Sequence, residues 1–377
     1  MDIIRKAMVG LGRAGAAAMI VLAAAGAAQA KSLKVIVGDG PQHDGTKALI
    51  SWTAELDTYT DGDLTGRVYP QTLASITEVA SALRDGVGDL GLVVYPYLLA
   101  EFPQANFIAD FSLFARTNPA AAGAVTEYTL TCSECMEEMK RQGLIYLGNI
   151  ANAPYSLITK KPVRTLAEFK NLKVRSGGEA WGRWIEALGG VKVQLPATEA
   201  YQALSQGMLD ANTHSIGSLV DQSLADVAKY VTDIPAGVYF GASMNYSRKN
   251  WQDLTDAQRQ VIFERTPYLL SQYVSNLIVA RDSVKGRMGE LGVTLIEPAD
   301  DLMNAHQAFL DQDRATIVAN AKTIYGVDGA SEKAERFLAL VAKWEKLADG
   351  MGHDPQALGD LYKKEIFDKI SVATISE

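Results

Sequence analysis

Cysteine is nearly absent: Cys132 and Cys135 are the only two in 377 residues, which excludes a disulfide-stapled scaffold. Histidine is scarce as well, and His43, His214, His306 and His353 are too scattered to suggest a metal cluster. The sequence has no Gly-rich phosphate loop, no G-x-S-x-G nucleophile elbow and no His-Glu zinc-binding helix. Nothing therefore points to a cofactor, a metal or a catalytic residue. Positive charge is in deficit, with a formal net charge of −8, so nucleic acid is a poor partner. Beyond the N-terminus no run of eighteen or more apolar residues occurs, which leaves no transmembrane helix to expect there.

The N-terminus itself is distinctive. Arg5, Lys6 and Arg13 make a basic start with one acid, Asp2, followed by an apolar, alanine-rich run from Ala14 to Ala27 and a small-x-small site at Ala28-Gln29-Ala30. That order reads as a secretory signal peptide cleaved after Ala30, which places the mature protein in the periplasm and outside the membrane. Cleavage removes three basic residues and one acid, so the net charge moves from −8 to −10. No cysteine stands at the cleavage site to carry a lipid anchor.

After it, strands and helices alternate. Leu33 to Val37, Gly66 to Pro70, Leu90 to Val94, Gly143 to Gly148, Leu172 to Arg175 and Val191 to Leu195 read as strands. Lys47 to Leu56 has helical spacing. Ser75 with Glu78 reads as a capping box that starts a helix running to Gly86, Thr165 with Glu168 as a second box, and Thr255 with Gln258 as the start of a long helix towards Met288. Pro267 is expected to kink or split that helix. Glu332 to Ala348 and Gln356 to Ile370 read as C-terminal helices. The alternation predicts an α/β fold with largely parallel sheets. One pattern occurs twice, 121 residues apart: Glu78, Ala82, Leu83, Gly86 and Asp89 recur as Glu199, Ala203, Leu204, Gly207 and Asp210. Each copy reads as a helix ended by glycine, with an aspartate entering the next strand, and together they suggest two similar lobes.

Two features bear on chemistry. Arg175 ends a strand and opens into Ser176-Gly177-Gly178, the kind of strand end where α/β proteins hold ligands. Its planar fork suits a carboxylate. Cys132-Ser133-Glu134-Cys135 lies within a stretch, Val125 to Arg141, that reads as helical with no strand before it. This favours a structural disulfide or two buried thiols over a redox pair.

The stretch from Leu166 to Asp253 resembles the substrate-binding subunits of tripartite ATP-independent periplasmic (TRAP) transporters, the DctP-like family. The motifs are Leu172-Lys173-Val174-Arg175, Leu188-Gly189-Gly190 with Val193, Glu199 to Leu204 with Gly207 and Asp210, Val227 to Thr232, and Asn245 with Trp251, Leu254 and Gln258. Gln42-His43, Tyr69-Pro70, Leu83 to Asp89 and Phe102-Pro103 match more loosely. The resemblance implies a two-lobed periplasmic binding protein fold with a long helix spanning both lobes. It places lobe I at 31–152 with about 241–280 returning to it, lobe II at 153–240 with about 281–330 returning, and a C-terminal helical extension at 331–377. It implies no enzyme but a receptor for a small carboxylate, with the C4-dicarboxylates as the family's default class, that serves TRAP membrane subunits.

The resemblance also marks Arg175 as the carboxylate-binding arginine. His214 falls where many members place a polar ligand contact, and Tyr155 where some members carry a second arginine, so a different second anchor is expected here. Trp181 is expected to lie over an apolar or ring-bearing part of the ligand or to pack in the core with Trp184. Tyr95 and Tyr239 are expected near the cleft mouth, and His43 at the cleft or as a helix cap. Two alternatives remain at this point: an exported thiol–disulfide oxidoreductase using Cys132 and Cys135, and a binding protein that serves an ABC importer or a sensor.

Overall fold

The structure is a computed structural model that describes residues 30–376. The signal peptide read above lies outside the described residues except for Ala30.

Among the described residues eleven strands form two sheets. In chain order they are β1 (Lys31–Val37), β2 (Leu64–Pro70), β3 (Leu90–Val94), β4 (Leu144–Ile150), β5 (Tyr155–Thr159), β6 (Lys173–Ser176), β7 (Val191–Gln194), β8 (Ala211–Ser215), β9 (Tyr230–Thr232), β10 (Ala242–Ser247) and β11 (Thr294–Ile296). The first sheet has the order β2-β1-β3-β10-β4 and the second β11-β9-β5-β8-β6-β7. Each has parallel strands joined by β-α-β connections: β1 beside β2 and β3, and β6 beside β7 and β8. Each also receives antiparallel strands, β10 between β3 and β4, and β5 between β8 and β9. This is the two-lobed α/β architecture that the sequence predicts.

The chain crosses between the sheets twice, from β4 to β5 and from β9 to β10. The crossings run side by side. Asn152 N–H donates to the Tyr239 carbonyl at 2.7 Å, and Tyr155 N–H to the Gly237 carbonyl at 2.9 Å. A third connection is the 31-residue helix Asp256–Gly286, opened by a full Thr255/Gln258 capping box. At 1.5 Å per residue it is about 46 Å long. Its first half packs on the first lobe, and its end reaches the second, where Lys285 pairs with Asp233 at 3.0 Å. Pro267 does not split it: the helix is continuous across it. Thr266, just before the proline, donates its hydroxyl to the Ile262 carbonyl at 2.8 Å, and the helix is held on both sides by buried Ile262, Phe263, Leu269 and Leu270.

The repeated pattern proves to be one local device used twice. Gly86 and Gly207 both adopt left-handed backbone, at φ +79° and +77°, which glycine takes without a Cβ penalty. Asp89 then clamps β1: its carboxylate accepts from Lys34 N–H at 2.7 Å, while its own N–H donates to the Lys34 carbonyl at 2.8 Å. Asp210 clamps β6 in the same way through Lys173, at 2.9 and 2.8 Å. The first copy starts later than expected. Ser75 and Glu78 form only half a capping box, the Glu78 N–H closes a turn on the Ser75 carbonyl, and the helix begins at Val79.

The cysteines form a disulfide, Cys132–Cys135. The continuous helix read over Val125 to Arg141 is two helices, Asn118–Leu130 and Ser133–Arg141, and Cys132 is the N-cap of the second. The disulfide ring and the Cys132 sulfur, which accepts from Cys135 N–H, satisfy the helix start.

The C-terminal helix Ala330–Leu347 covers Asn118–Leu130. Its Phe337 and Trp344 are fully buried, and truncating residues of this kind costs roughly 3–5 kcal/mol each. Gly123 lets the Trp344 ring approach; a Cβ there would stand 2.4 Å from it.

Candidate ligand-binding cleft

Between the two sheets lies a partly open cavity of about 480 Å³, including the part continuous with solvent. Its walls come from loops at the C-terminal ends of strands in both lobes, from the crossings and from the long helix. Open α/β sheets place ligands at such strand ends.

Arg175 is the central cation. It lies on β6, is 1% exposed, and lines the cavity. Its Nε donates to the Leu195 carbonyl at 3.0 Å, one terminal nitrogen to the Thr213 carbonyl at 3.4 Å, and the other to the Tyr97 hydroxyl at 2.9 Å. Thr213 in turn donates its hydroxyl to the Arg175 carbonyl, fixing the strand beneath. Among the described residues no carboxylate pairs with this guanidinium. A buried, unpaired charge is costly. Arginine has five N–H donors, and three are used. One remains on each terminal nitrogen, the fork that fits a carboxylate. Gly177 leaves room beside it, since a Cβ there would stand 3.4 Å from a terminal nitrogen.

Tyr97, from the first lobe, is the residue that the sequence reading missed. Its hydroxyl accepts from both Arg175 and Ala197 N–H, the latter at 3.0 Å. Both lone pairs are then engaged, and its own O–H is free to donate into the cavity. Tyr95, expected here, is instead in the core of the first lobe. It bonds the Ser243 hydroxyl, packs on Phe102, and is absent from the cavity lining. Tyr95 continues the inward face of β3, whereas Pro96 breaks the strand and turns the next side chain outward. The Tyr-Pro-Tyr sequence was the available signal.

The other expected residues divide. Tyr155, His214 and Tyr239 line the cavity as a stack, with ring centroids 4.9 Å apart for Tyr155–His214 and 6.1 Å for Tyr155–Tyr239. Burial, with the Arg175 charge adding to it, pulls the His214 pKa down to about 3, so the ring is neutral at ordinary pH. Burial also holds the Tyr155 phenol protonated well above the ordinary range. Trp181 stands one layer back. It packs on Tyr155 at 5.0 Å and Tyr239 at 5.7 Å, and donates to the Ala236 carbonyl at 2.9 Å. It does not line this cavity; it braces the two tyrosines that do. Trp184 packs elsewhere, on Phe169 and His306.

His43 lines the cavity from the N-cap position of helix Asp44–Tyr59, yet its side chain caps nothing. Its Nε2 faces Asp221 of the other lobe at 3.8 Å, and its Nδ1 is buried without a partner. Asp39, Asn152, Gln222 and Tyr273 complete the polar lining. Around the cavity the lobes touch through Arg175–Tyr97, Ala197–Tyr97, His43–Asp221 and the Gln194 side chain on the Pro96 carbonyl at 3.4 Å, and elsewhere through the Arg183–Asp110 ion pair at 2.9 Å. This is a closed arrangement. Among the described residues no cluster of three or more His, Cys, Asp or Glu side chains could hold a metal ion, and no helix is long and apolar enough to cross a membrane.

Known proteins share this fold. A periplasmic TRAP solute-binding protein from Bordetella bronchiseptica, solved with (R)- and (S)-mandelate, superposes with a TM-score of 0.72 at 22% identity, over 83% of this chain and 99% of that one. A TRAP solute-binding protein from Rhodoferax ferrireducens, solved with benzoate, gives 0.74 at 18% identity, over 84% and 99%. A solute-binding protein of Albidiferax ferrireducens is 25% identical over 191 residues, 50% of this chain and 56% of that protein; the match thus spans little more than half of the relative's length. Residues 38–318 match the bacterial extracellular solute-binding proteins of family 7, DctP. With the fold and most of the chain in agreement, this protein belongs to the DctP-like solute-binding family, whose members are binding proteins and not enzymes.

Proposed function

We propose that this protein is the periplasmic receptor of a TRAP transporter and captures a small acid bearing one carboxylate. The observation that carries the reading is Arg175: a buried guanidinium with no acid partner and one free N–H on each terminal nitrogen. The mandelate and benzoate of the solved relatives are single carboxylates, and so is the pyroglutamate of a marine metagenome relative. A C4-dicarboxylate, the family's default expectation, suits the cavity less. Its second carboxylate needs a second cation, and among the described residues the lining supplies no lysine and no other arginine. Exclusion of water would make that mismatch costly.

The mechanism is a population shift. Open and closed states interconvert, and a ligand that touches Arg175 from one lobe and Tyr97 from the other favours the closed one. The membrane subunits then recognise the closed form. Export with cleavage after Ala30 belongs to this reading, and N-terminal sequencing of the periplasmic protein checks it.

A thermal-shift screen of single-carboxylate acids, followed by calorimetry of Arg175→Ala and Arg175→Lys, tests the proposal. Charge-assisted hydrogen bonds contribute roughly 1.5–3 kcal/mol each, so Arg175→Ala is expected to bind at least tenfold more weakly. Lysine restores only part, because it lacks the fork. Unchanged affinity in Arg175→Ala would overturn the assignment.

A further inference from the structure

The cavity is not uniform in charge. Among the described residues Arg175 is its only cation with a fixed charge, and acidic groups meet around another part of the lining. Asp39 follows β1, lines the cavity, is 9% exposed, and has no hydrogen-bond or ion-pair partner among the described residues. Gln222, from the other lobe, lines the cavity with its Oε1 buried and unpartnered. His43 lines it 8% exposed, with Nδ1 unpartnered. Behind His43 stands Asp221, with one carboxylate oxygen on His43 and the other buried and unpartnered. These are mostly acceptors, held in a closed cleft whose other donors, the Tyr97, Tyr155 and Tyr273 hydroxyls and the Asn152 amide, are neutral and offset no charge.

The charge balance points the same way. The ionisable groups here are Asp39, His43, Asp44 and Asp221, with Lys47 paired to Asp44 at 2.9 Å. Lys47 cancels Asp44, so two carboxylates remain and one imidazole at most offsets them. Burial raises the Asp221 pKa; His43 offsets part of that shift and the Asp39 charge adds to it, so the two acids repel across the lobe boundary. Closing the lobes without a compensating charge is opposed by that repulsion.

Resting on the single-carboxylate reading above, we infer that the ligand is zwitterionic: its carboxylate meets Arg175, and a protonated nitrogen elsewhere in the molecule is taken by Asp39 and Gln222, with Asp221 behind them. The nitrogen supplies donors to the orphaned acceptors and charge to the repelling acids. Because Asp39 and Gln222 belong to different lobes, that contact also forms only on closure. The ligand thus joins the lobes at two places of opposite sign, and a simple carboxylate joins them at one.

Calorimetry with two matched sets of probes tests this: butyrate, 4-hydroxybutyrate and 4-aminobutyrate, and benzoate, 3-hydroxybenzoate and 3-(aminomethyl)benzoate. In at least one set the ammonium-bearing probe is expected to bind at least tenfold more tightly than both its parent acid and the hydroxyl probe. Asp39→Asn is expected to reduce that ratio about tenfold, and Asp221→Asn to reduce it less. Each ratio is read within one variant, so a variant of lower stability still reports it. Equal binding of parent, hydroxyl and ammonium probes, with binding still dependent on Arg175, would overturn the zwitterion assignment and leave the carboxylate reading standing. Hydroxyl probes that match the ammonium probes would overturn it too, as would an unchanged ratio in Asp39→Asn. If none of the six probes binds the wild type, both readings fall.

Discussion

The Arg175 guanidinium donates to the Tyr97 hydroxyl at 2.9 Å, and this bond runs from one lobe to the other. The same hydroxyl accepts from Ala197 N–H, so a single oxygen gathers two donors from the second lobe. Tyr97→Phe leaves both donors unpaired in a buried site, at a cost of about 1–3 kcal/mol. We expect a 5- to 100-fold loss of affinity for the acid that gives the largest thermal shift. Small-angle scattering should show a smaller fall in radius of gyration on binding than in the wild type. Unchanged affinity would show that Tyr97 does not support Arg175.

Gly45 controls the cavity from a distance. A Cβ there would lie 2.1 Å from the Tyr273 ring, and Tyr273 lines the cavity. The ring end is the part that yields, so Gly45→Ala is expected to displace it and to weaken binding more than tenfold. Tyr273→Phe in the same background relieves only the hydroxyl contact and should restore little. A Gly45→Ala variant that binds normally would mean that the helix shifts instead of the ring.

Replacing Cys132 and Cys135 with serine tests the disulfide. The loop that it closes is short, so the chain-entropy contribution is about 2 kcal/mol. Thermal unfolding should fall accordingly while affinity stays unchanged, because the pair lies in the first lobe's core and is absent from the cavity lining. A loss of affinity beyond the loss of stability would point to a role in binding.

Glu138 predicts a pH dependence. Its carboxylate accepts from Gln104 N–H at 2.7 Å and Ala105 N–H at 3.0 Å, at the start of helix Pro103–Ala109. Burial outweighs these bonds and pushes its pKa from 4.5 up to about 7. The folded chain therefore holds this proton more tightly than the unfolded one. The contribution is complete below about pH 4.5 and is lost as pH rises through about 7. By urea unfolding, the wild type should lose up to about 3 kcal/mol more between pH 5 and 8 than Glu138→Gln does. Equal losses would assign the proton elsewhere.

Some of this was legible in the residues and some was not. Strands with apolar runs, such as Leu90 to Val94, could be read directly, and Leu172-Lys173-Val174-Arg175 led to the guanidinium at the cleft. β8 and β10 could not be read that way. Ala-Asn-Thr-His-Ser and Ala-Ser-Met-Asn-Tyr-Ser are polar sequences, yet every residue in both strands is buried. They are central strands, in which Thr213 bonds Arg175 and Asn245 bonds Ser243 while the Asn212 amide stays buried without a partner, and hydrophobic patterning does not detect them. His214 is on one of them. Asp39 and Gln222 were passed over for a related reason: a polar residue in a loop reads as solvated until the opposing lobe covers it.

β10 has a further consequence for the order of assembly. It lies between β3 and β4 in the first sheet, but in the chain it comes after every residue from Tyr155 to Thr232 that builds the second. A polypeptide emerging from its N-terminus cannot finish its first sheet until Ser247 has appeared, so the edges of β3 and β4 stay open until about two thirds of the protein has been made. Open edges invite unwanted pairing. If the chain is exported unfolded, as the proposed signal peptide would have it, the same delay is useful, because the first lobe cannot lock before most of the thread has passed.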